Sequence, residues 1–227
     1  MWSKALTVAT TALSLVTSVV ADYDVKLKSN LVMYWVLQKI SFHCCTVLIC
    51  VQGQGPNQLP LRAFCEKTVA DVIVIGFINT FPSAANGYVG ANYGNGCWGA
   101  EYNYVAPGYN GTKPVAGQNL LPSRCPVVQE GIPVCQKLGK KIILSIGGDP
   151  STKSYKGQLK SAADGTYFAD FLWKAYGPKD PSYTGVRPLD RGVNNDDPSI
   201  TIDIDGFDFD IETSVASTDA NNGKLYT

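Results

Sequence analysis

The chain has 227 residues, of which 45% are hydrophobic and 17% are charged. This composition predicts one globular domain with a large core and excludes an intrinsically disordered chain. The 19 basic and 19 acidic residues balance, so charge gives no reason to expect a nucleic-acid partner.

The first 21 residues, MWSKALTVATTALSLVTSVVA, have the pattern of a secretory signal peptide. Lys4 is the only charge before Asp22, and the apolar run that follows it ends in the small-residue pattern Val19-x-Ala21. We expect cleavage after Ala21, which leaves residues 22–227 as a secreted protein of the extracellular space or cell wall, without a membrane segment. A membrane-spanning helix is the alternative, which the many Ser and Thr residues disfavour.

Four apolar segments predict buried parallel strands at residues 30–35, 71–81, 140–148 and 200–212. The first three are nearly continuous apolar runs, as expected for strands that are covered on both faces. Helical stretches fall between the strands, at residues 59–67, 130–138 and 165–176. The alternation predicts an α/β fold with a parallel sheet.

The predicted helices carry their own boundary signals. Pro60 suits the first turn of the first helix, and Gly139 suits the C-cap of the second. In the third helix, large apolar side chains recur at helical spacing and are expected to pack in the core: Phe168, Phe171, Leu172 and Tyr176. The Gly-, Asn- and Tyr-rich stretch at 82–121 is expected to be a long loop, which Cys97 and Cys125 could pin.

Four carboxylates crowd the segment DGFDFDIE at residues 205–212. Because alternate side chains of a strand share a face, Asp208, Asp210 and Glu212 should point one way, about 6.5 Å apart at the backbone. The apolar positions are even-numbered before Gly206 and odd-numbered after it, so a bend is expected there. Three carboxylates this close cannot all stay ionised, so at least one pKa must be raised. A protonated carboxyl beside ionised ones is what acid catalysis of glycoside cleavage needs.

A calcium-binding loop is the main alternative for this segment. Asp203, Asp205, Gly206 and Glu212 fit four positions of an EF-hand loop, but Thr201 and Asp208 do not suit theirs, and no pair of helices is predicted around it. A purely structural charged strand is less favoured, because buried carboxylates without partners are costly.

Two motifs carry a family resemblance. DGFDFDIE resembles the signature DGxDxDxE of glycoside hydrolase family 18, the chitinases, and LSIGG at 144–148 resembles that family's SxGG motif on the third strand. MYW and GFINTF resemble the first two strands of fungal and plant class III chitinases. The resemblance covers residues 30–35 and then residue 53 to about residue 224.

The resemblance implies a (β/α)8 TIM barrel, of which about the first four β/α units are present, with catalytic groups at the carboxyl ends of the strands. It implies that Glu212 is the general acid and later the base, and that Asp210 orients the substrate's N-acetyl group and shares a proton with Asp208. The nucleophile would be the substrate's own acetamido oxygen, which gives retention. No metal or organic cofactor is implied.

The resemblance also places sugar contacts and partners. Tyr34, Phe77 and Asn79 lie where the family contacts sugar, with ordinary barrel packing as the alternative, and Gly147 and Gly148 would let sugar or backbone approach closely. The implied partner is chitin or N-acetylglucosamine oligosaccharides, bound by a monomer.

The seven cysteines divide into two groups. The resemblance implies the disulfides Cys65–Cys135 and Cys97–Cys125. The other three cysteines match nothing in the family and lie, with the chain's only histidine, in residues 36–52: His43, Cys44, Cys45 and Cys50. We interpret this segment as an insert and as a possible translated intron, since a valine codon begins with GT and a glutamine codon can end in AG. If it is genuine protein, it adds an apolar, thiol-rich loop at the mouth of the active site.

These features favour a secreted, endo-acting chitinase. Because the chain ends fifteen residues after Glu212, little activity and poor solubility are expected of it alone. Three alternatives remain: an endo-β-N-acetylglucosaminidase, a lectin-like or inhibitor protein on the same fold, and no biochemical function in this form. Retention of Glu212 argues against the lectin-like reading.

Overall fold

The structure is a computed structural model that describes residues 23–35, 58–84, 89–97, 121–122, 125–151, 157–190 and 197–212. The expected signal peptide at 1–21 and the insert at 36–52 lie outside these ranges. Within them, no helix has the length and apolar character that a membrane crossing requires.

Strands and helices alternate along the chain. The strands are β1 (Val32–Tyr34), β2 (Val72–Ile78), β3 (Lys141–Gly148) and β4 (Gly206–Ile211), and the helices are α1 (Leu61–Lys67), α2 (Pro126–Lys137) and α3 (Ala162–Tyr176). Short 3-10 turns occupy Pro82–Ala84 and Gly94–Cys97 in the long loop. The four strands form one parallel sheet in the order β1-β2-β3-β4. This confirms the α/β class with parallel strands.

Two disulfides fasten the helices. Cys65 of α1 bonds Cys135 of α2, and Cys97 bonds Cys125 immediately before α2. Both pairings confirm the expectation. A second tie between α1 and α2 is close packing, because a Cβ on Gly131 would lie 2.6 Å from the Cβ of Leu61.

The helix ends differ slightly from the predictions. Pro60 occupies the N-cap position and Leu61 begins α1, so the proline precedes the first turn. The second helix begins four residues earlier than predicted, because Pro126 takes its first position and the carbonyl of Cys125 accepts the amide of Gln129. The third begins at Ala162, because the hydroxyl of Ser161 accepts the Asp164 amide at 3.1 Å.

Two predicted features of the helices are confirmed. Gly139 follows the C-cap of α2 with a φ of 79°, and its amide donates to the Gln136 carbonyl, which is the expected glycine stop. The large apolar side chains of α3 are all buried in the core: Phe168, Phe171, Leu172 and Tyr176.

All four strands are shorter than predicted. The first covers only Val32–Tyr34 of residues 30–35, and the third begins one residue late, at Lys141. The second ends at Ile78, because the amides of Asn79 and Thr80 both donate to the Gly90 carbonyl in a local antiparallel bridge. The fourth begins at Gly206 and not at residue 200. Ile202 and Ile204 are buried as in a strand. Before Gly206, however, the Ile202 amide donates to the Asp190 side chain and the Asp203 carbonyl accepts from the Gln136 side chain, in place of a neighbouring strand.

Candidate active site

The carboxyl ends of the four strands bring the predicted site residues to one edge of the sheet. Tyr34 ends β1, Phe77 lies near the end of β2, and Gly147 and Gly148 end β3. The carboxylate segment runs along β4, with Asp208 paired to Ser145 and Asp210 paired to Gly147. The parallel register therefore assembles side chains that are far apart in sequence.

Asp208 is held by two hydroxyl groups. Tyr34 donates its hydroxyl to Oδ2 of Asp208 at 2.5 Å, and Ser145 donates to the same oxygen at 2.7 Å. Ser145 is fully buried in β3. On the opposite face of β4, Phe207 contacts Trp173 of α3, with ring centroids 6.4 Å apart. Asp208 and Phe207 thus lie on opposite faces of β4, as the alternation predicts, whereas Phe209 is 56% exposed.

The next two carboxyls have raised proton affinity. Burial raises the pKa of Asp210, and the charge of Asp208 raises it further, while the hydrogen bond with Glu212 opposes these effects. For Glu212, partial loss of hydration raises the pKa, followed by the charges of Asp210 and Asp149 and the hydrogen bond with Asp210. The directions are those expected for crowded carboxylates that share protons.

Tyr34 is a donor that stays protonated. Burial and then its hydrogen bond to Asp208 raise the pKa of the Tyr34 hydroxyl well above its ordinary value. Its ring also lies 6.4 Å from the ring of Phe77. Tyr34 is thus fixed between the carboxylate segment and β2.

The two glycines at the end of β3 make room for the site. Gly147 has a φ of 123°, and a Cβ there would lie 2.1 Å from the carbonyl oxygen of Asp210. Gly148 has a φ of 93°, and a Cβ there would lie 3.1 Å from the Phe77 ring. Only glycine suits such conformations beside such neighbours. Gly147 therefore allows the close approach of the Asp210 backbone.

The residues expected to contact sugar differ in exposure. Tyr34 and Phe77 are partly exposed, whereas Asn79 is only 6% exposed. The Thr80 hydroxyl contacts the side-chain oxygen of Asn79 at 3.5 Å. Asn79 thus lies mainly below the surface of the edge that Tyr34 and Phe77 share.

Two residues of this edge were not singled out from the sequence. Ser145 lies within the LSIGG motif, and its pairing with Asp208 follows only from the register. Asp149 follows Gly148, which pairs with Ile211, so Asp149 comes near Glu212 at the strand ends. Its carboxylate accepts the amide and hydroxyl of Ser151, both at 2.8 Å.

The structure disfavours the calcium-loop alternative on geometric grounds. Asp203 forms an ion pair with Arg187 at 2.6 Å, and Asp205 forms one with Lys141 at 2.9 Å. Within the candidate loop, Gly206–Ile211 forms strand β4, which differs from the loop conformation of an EF-hand. Among the residues with described positions, no cluster of acidic, His or Cys side chains suits a metal ion.

Fold and site together define a parallel α/β protein with a hydroxyl-supported carboxylate row at the carboxyl edge of its sheet. The chain is 40% identical over 186 residues to Endochitinase 2 of Coccidioides posadasii, a match that covers 82% of this chain and 17% of the relative. It is 35% identical over 215 residues to a probable endochitinase of Arthroderma benhamiae, covering 94% of this chain and 23% of that protein. It is 38% identical over 213 residues to Endochitinase A of Aspergillus niger, covering 92% and 14%.

The chain thus spans between 14% and 23% of the length of these three fungal relatives. No protein-family model matches the chain. A solved chitinase from Ipomoea carnea has a TM-score of 0.45 at 23% identity, covering 81% of this chain and 47% of that one. A xylanase and alpha-amylase inhibitor from Scadoxus multiflorus has a TM-score of 0.44 at 22% identity, covering 81% and 45%. TM-scores this low decide nothing about function.

Proposed function

We propose that this chain carries the catalytic carboxylates of a secreted, endo-acting chitinase, which hydrolyses β-1,4 links between N-acetylglucosamine units. The observation that carries the proposal is the row Asp208, Asp210 and Glu212, in which Asp208 accepts two hydroxyl hydrogen bonds while the pKa values of the other two carboxyls are raised. Similarity to three fungal endochitinases over more than four fifths of the chain supports the same substrate class.

The proposed mechanism assigns one task to each carboxyl. Glu212, which keeps its proton to a higher pH than an ordinary glutamate, protonates the glycosidic oxygen. The bond between the anomeric carbon and that oxygen breaks as the substrate's acetamido oxygen attacks the anomeric carbon, which forms an oxazolinium intermediate. Asp210 orients the acetamido group while sharing a proton with Asp208. Water then opens the oxazolinium intermediate with Glu212 as base, and the configuration is retained.

Further parts of the proposal concern the surroundings of the site. The four parallel strands would be the first four strands of a TM barrel, and Tyr34, Phe77 and the glycine pair Gly147 and Gly148 would border the sugar. Asn79, only 6% exposed, would lie behind these residues. We also propose that residues 1–21 are a signal peptide, that residues 36–52 are an insert, and that the chain binds chitin oligosaccharides as a monomer without a cofactor.

The test is hydrolysis of a fluorogenic chitooligosaccharide by the chain, compared with Glu212→Gln. The amide keeps the size of the side chain but cannot deliver a proton, so turnover should fall by at least about 100-fold, in the range of general-acid catalysis. Binding of chitotetraose, followed by intrinsic tryptophan fluorescence, should persist in both proteins. Binding without turnover in the unmodified chain would contradict catalysis by this chain, and equal turnover in both would refute the role of Glu212.

A further inference from the structure

The segment that enters β4 is held by side chains and by the end of α3, and not by a continuous ladder of strand hydrogen bonds. The amide of Ile202 donates to Asp190 at 3.0 Å, and the carbonyl of Asp203 accepts from the Gln136 side chain of α2 at 2.8 Å. The amide of Ile204 donates to the carbonyl of Tyr176 at the end of α3. Residues 202–204 are therefore fixed from two helices and a loop.

Asp205 is where this segment joins the sheet. Its amide donates to the carbonyl of Ile142 at 2.7 Å, and its Oδ2 accepts the amide of Ile142 at 2.9 Å. In a regular parallel ladder that amide would donate to a main-chain carbonyl of the adjacent strand. The same Oδ2 accepts from Gln136 at 3.1 Å, and Oδ1 pairs with Lys141 at 2.9 Å. The side chain of Asp205 thus replaces a main-chain acceptor at the first rung between β3 and β4.

This first rung precedes the rungs that build the site. From Gly206 onward the register is continuous, so Ser145 lies opposite Asp208 and Gly147 opposite Asp210. Asp208 comes three residues, about 10 Å along a strand, after Asp205. Asp205 is therefore too far from the carboxyl edge to contact a substrate there, but it lies where the register of β4 is set.

We propose that Asp205 is a positioning residue, whose carboxylate sets the register of β4 through the Ile142 amide and so places Asp208 against Ser145. The first carboxylate of DGFDFDIE then has a structural task that differs from the tasks of the other three. The expected effect of Asp205 on catalysis rests on the proposed function, whereas its expected effect on the register of β4 does not.

Two conservative variants separate position from charge. Asp205→Asn keeps the length of the side chain and one oxygen for the Ile142 amide but loses the charge. Asp205→Glu keeps the charge but moves the acceptor outward by one methylene group. Lys141→Gln removes the ion pair alone and is the matched control.

The readouts are amide hydrogen exchange at Ile142, amide chemical shifts of Ser145 and Asp208, and kcat/KM on a fluorogenic chitooligosaccharide. For Asp205→Glu, exchange at Ile142 should be about tenfold faster or more, as expected when a hydrogen bond to a charged acceptor is lost. The Ser145 and Asp208 signals should move, and kcat/KM should fall about tenfold with less change in KM. Asp205→Asn should be affected less than Asp205→Glu, and Lys141→Gln should stay within about twofold of the unmodified chain in exchange and activity.

The opposite order, with the Asn variant impaired and the Glu variant unchanged, would show that charge and not position matters and would overturn the proposal. So would an Ile142 amide that exchanges equally in all four proteins. If the unmodified chain shows no hydrolysis, the proposed function fails, while exchange and chemical shifts still decide the role of Asp205.

Discussion

Removing the Tyr34 hydroxyl tests how Asp208 is kept as a hydrogen-bond acceptor. The Tyr34→Phe variant deletes one of the two donors to Oδ2, at 2.5 Å, and leaves the Ser145 donor at 2.7 Å. The charge of Asp208 helps to raise the pKa of Asp210, so a weaker hold on Asp208 should disturb the proton that the proposed mechanism has these two carboxyls share. Asp210 would then hold its proton less firmly beside Glu212.

The size of the effect follows from the charged acceptor. A hydrogen bond to an ionised group contributes about 1.5–3 kcal/mol, which corresponds to roughly 10- to 150-fold in rate if it is lost from the transition state. We expect kcat/KM on a fluorogenic chitooligosaccharide to fall within this range. The phenyl ring keeps its place near Phe77, so the packing of the site should be retained.

Ser145→Ala is the matched variant, because it removes the other donor to the same oxygen. Each single variant should leave Asp208 with one donor, and the double variant should lose more than the sum of the two free energies, since no hydroxyl then remains. Additive losses would show that the two donors act independently, and a loss smaller than the sum would contradict the expected coupling. Unchanged kcat/KM in Tyr34→Phe, with native circular dichroism, would refute the reasoning.

Three further predictions follow from the same edge of the sheet. Gly147→Ala should lower the free energy of unfolding by about 2–6 kcal/mol in urea titrations, because its Cβ would lie 2.1 Å from the Asp210 carbonyl oxygen at a φ of 123°. The control Gly206→Ala, whose Cβ would lie 3.5 Å from Ile143, should cost less than about 1 kcal/mol. Equal costs would contradict the steric explanation. The stability of Asp210→Asn relative to the unmodified chain should be greater at pH 7 than at pH 3. Because the pKa of Asp210 is raised in the folded state, the unmodified chain loses stability as pH rises from about 3.9, the ordinary value, through the raised value, whereas the amide cannot ionise. A pH-independent difference in urea titrations would contradict this. Deleting residues 36–52 should leave thermal unfolding cooperative, because the Gln58 side chain donates to the Trp35 carbonyl at 3.4 Å and residues 53–57 remain to join the two. The deletion should also remove every thiol that reacts with a thiol reagent. Loss of cooperative unfolding would show that residues 36–52 are required for folding.

The sequence predicts the strands and helices of this fold better than the contacts between them. Apolar runs and helical periodicity are local patterns, so the order of strands and helices follows from them. The period of two in DGFDFDIE likewise places Asp208, Asp210 and Glu212 on one side. In contrast, the donors to Asp208 lie 174 and 63 residues away in the chain, and only the register of the parallel sheet brings them there.

The start of β4 shows why a strand boundary escapes pattern reading. Ile202 and Ile204 alternate and are buried like strand residues. The Ile202 amide, however, donates to the Asp190 side chain, and the Asp203 carbonyl accepts from the Gln136 side chain. Such side-chain bonds come from distant parts of the chain and leave no periodic signal. For the same reason, the sequence alone groups Asp205 with the other carboxylates of its motif, although its side chain contacts Lys141 and Ile142 at the beginning of β3.

The most direct test of the account is a titration of the carboxyl carbons of Asp210 and Glu212 by 13C NMR, in the chain and in Asp210→Asn. We predict that both groups titrate above their ordinary values, and that the pKa of Glu212 falls when Asp210 is made neutral. Ordinary values for both groups, or a Glu212 titration that ignores Asp210→Asn, would mean that crowding does not hold a proton in this row and would contradict the proposed acid catalysis.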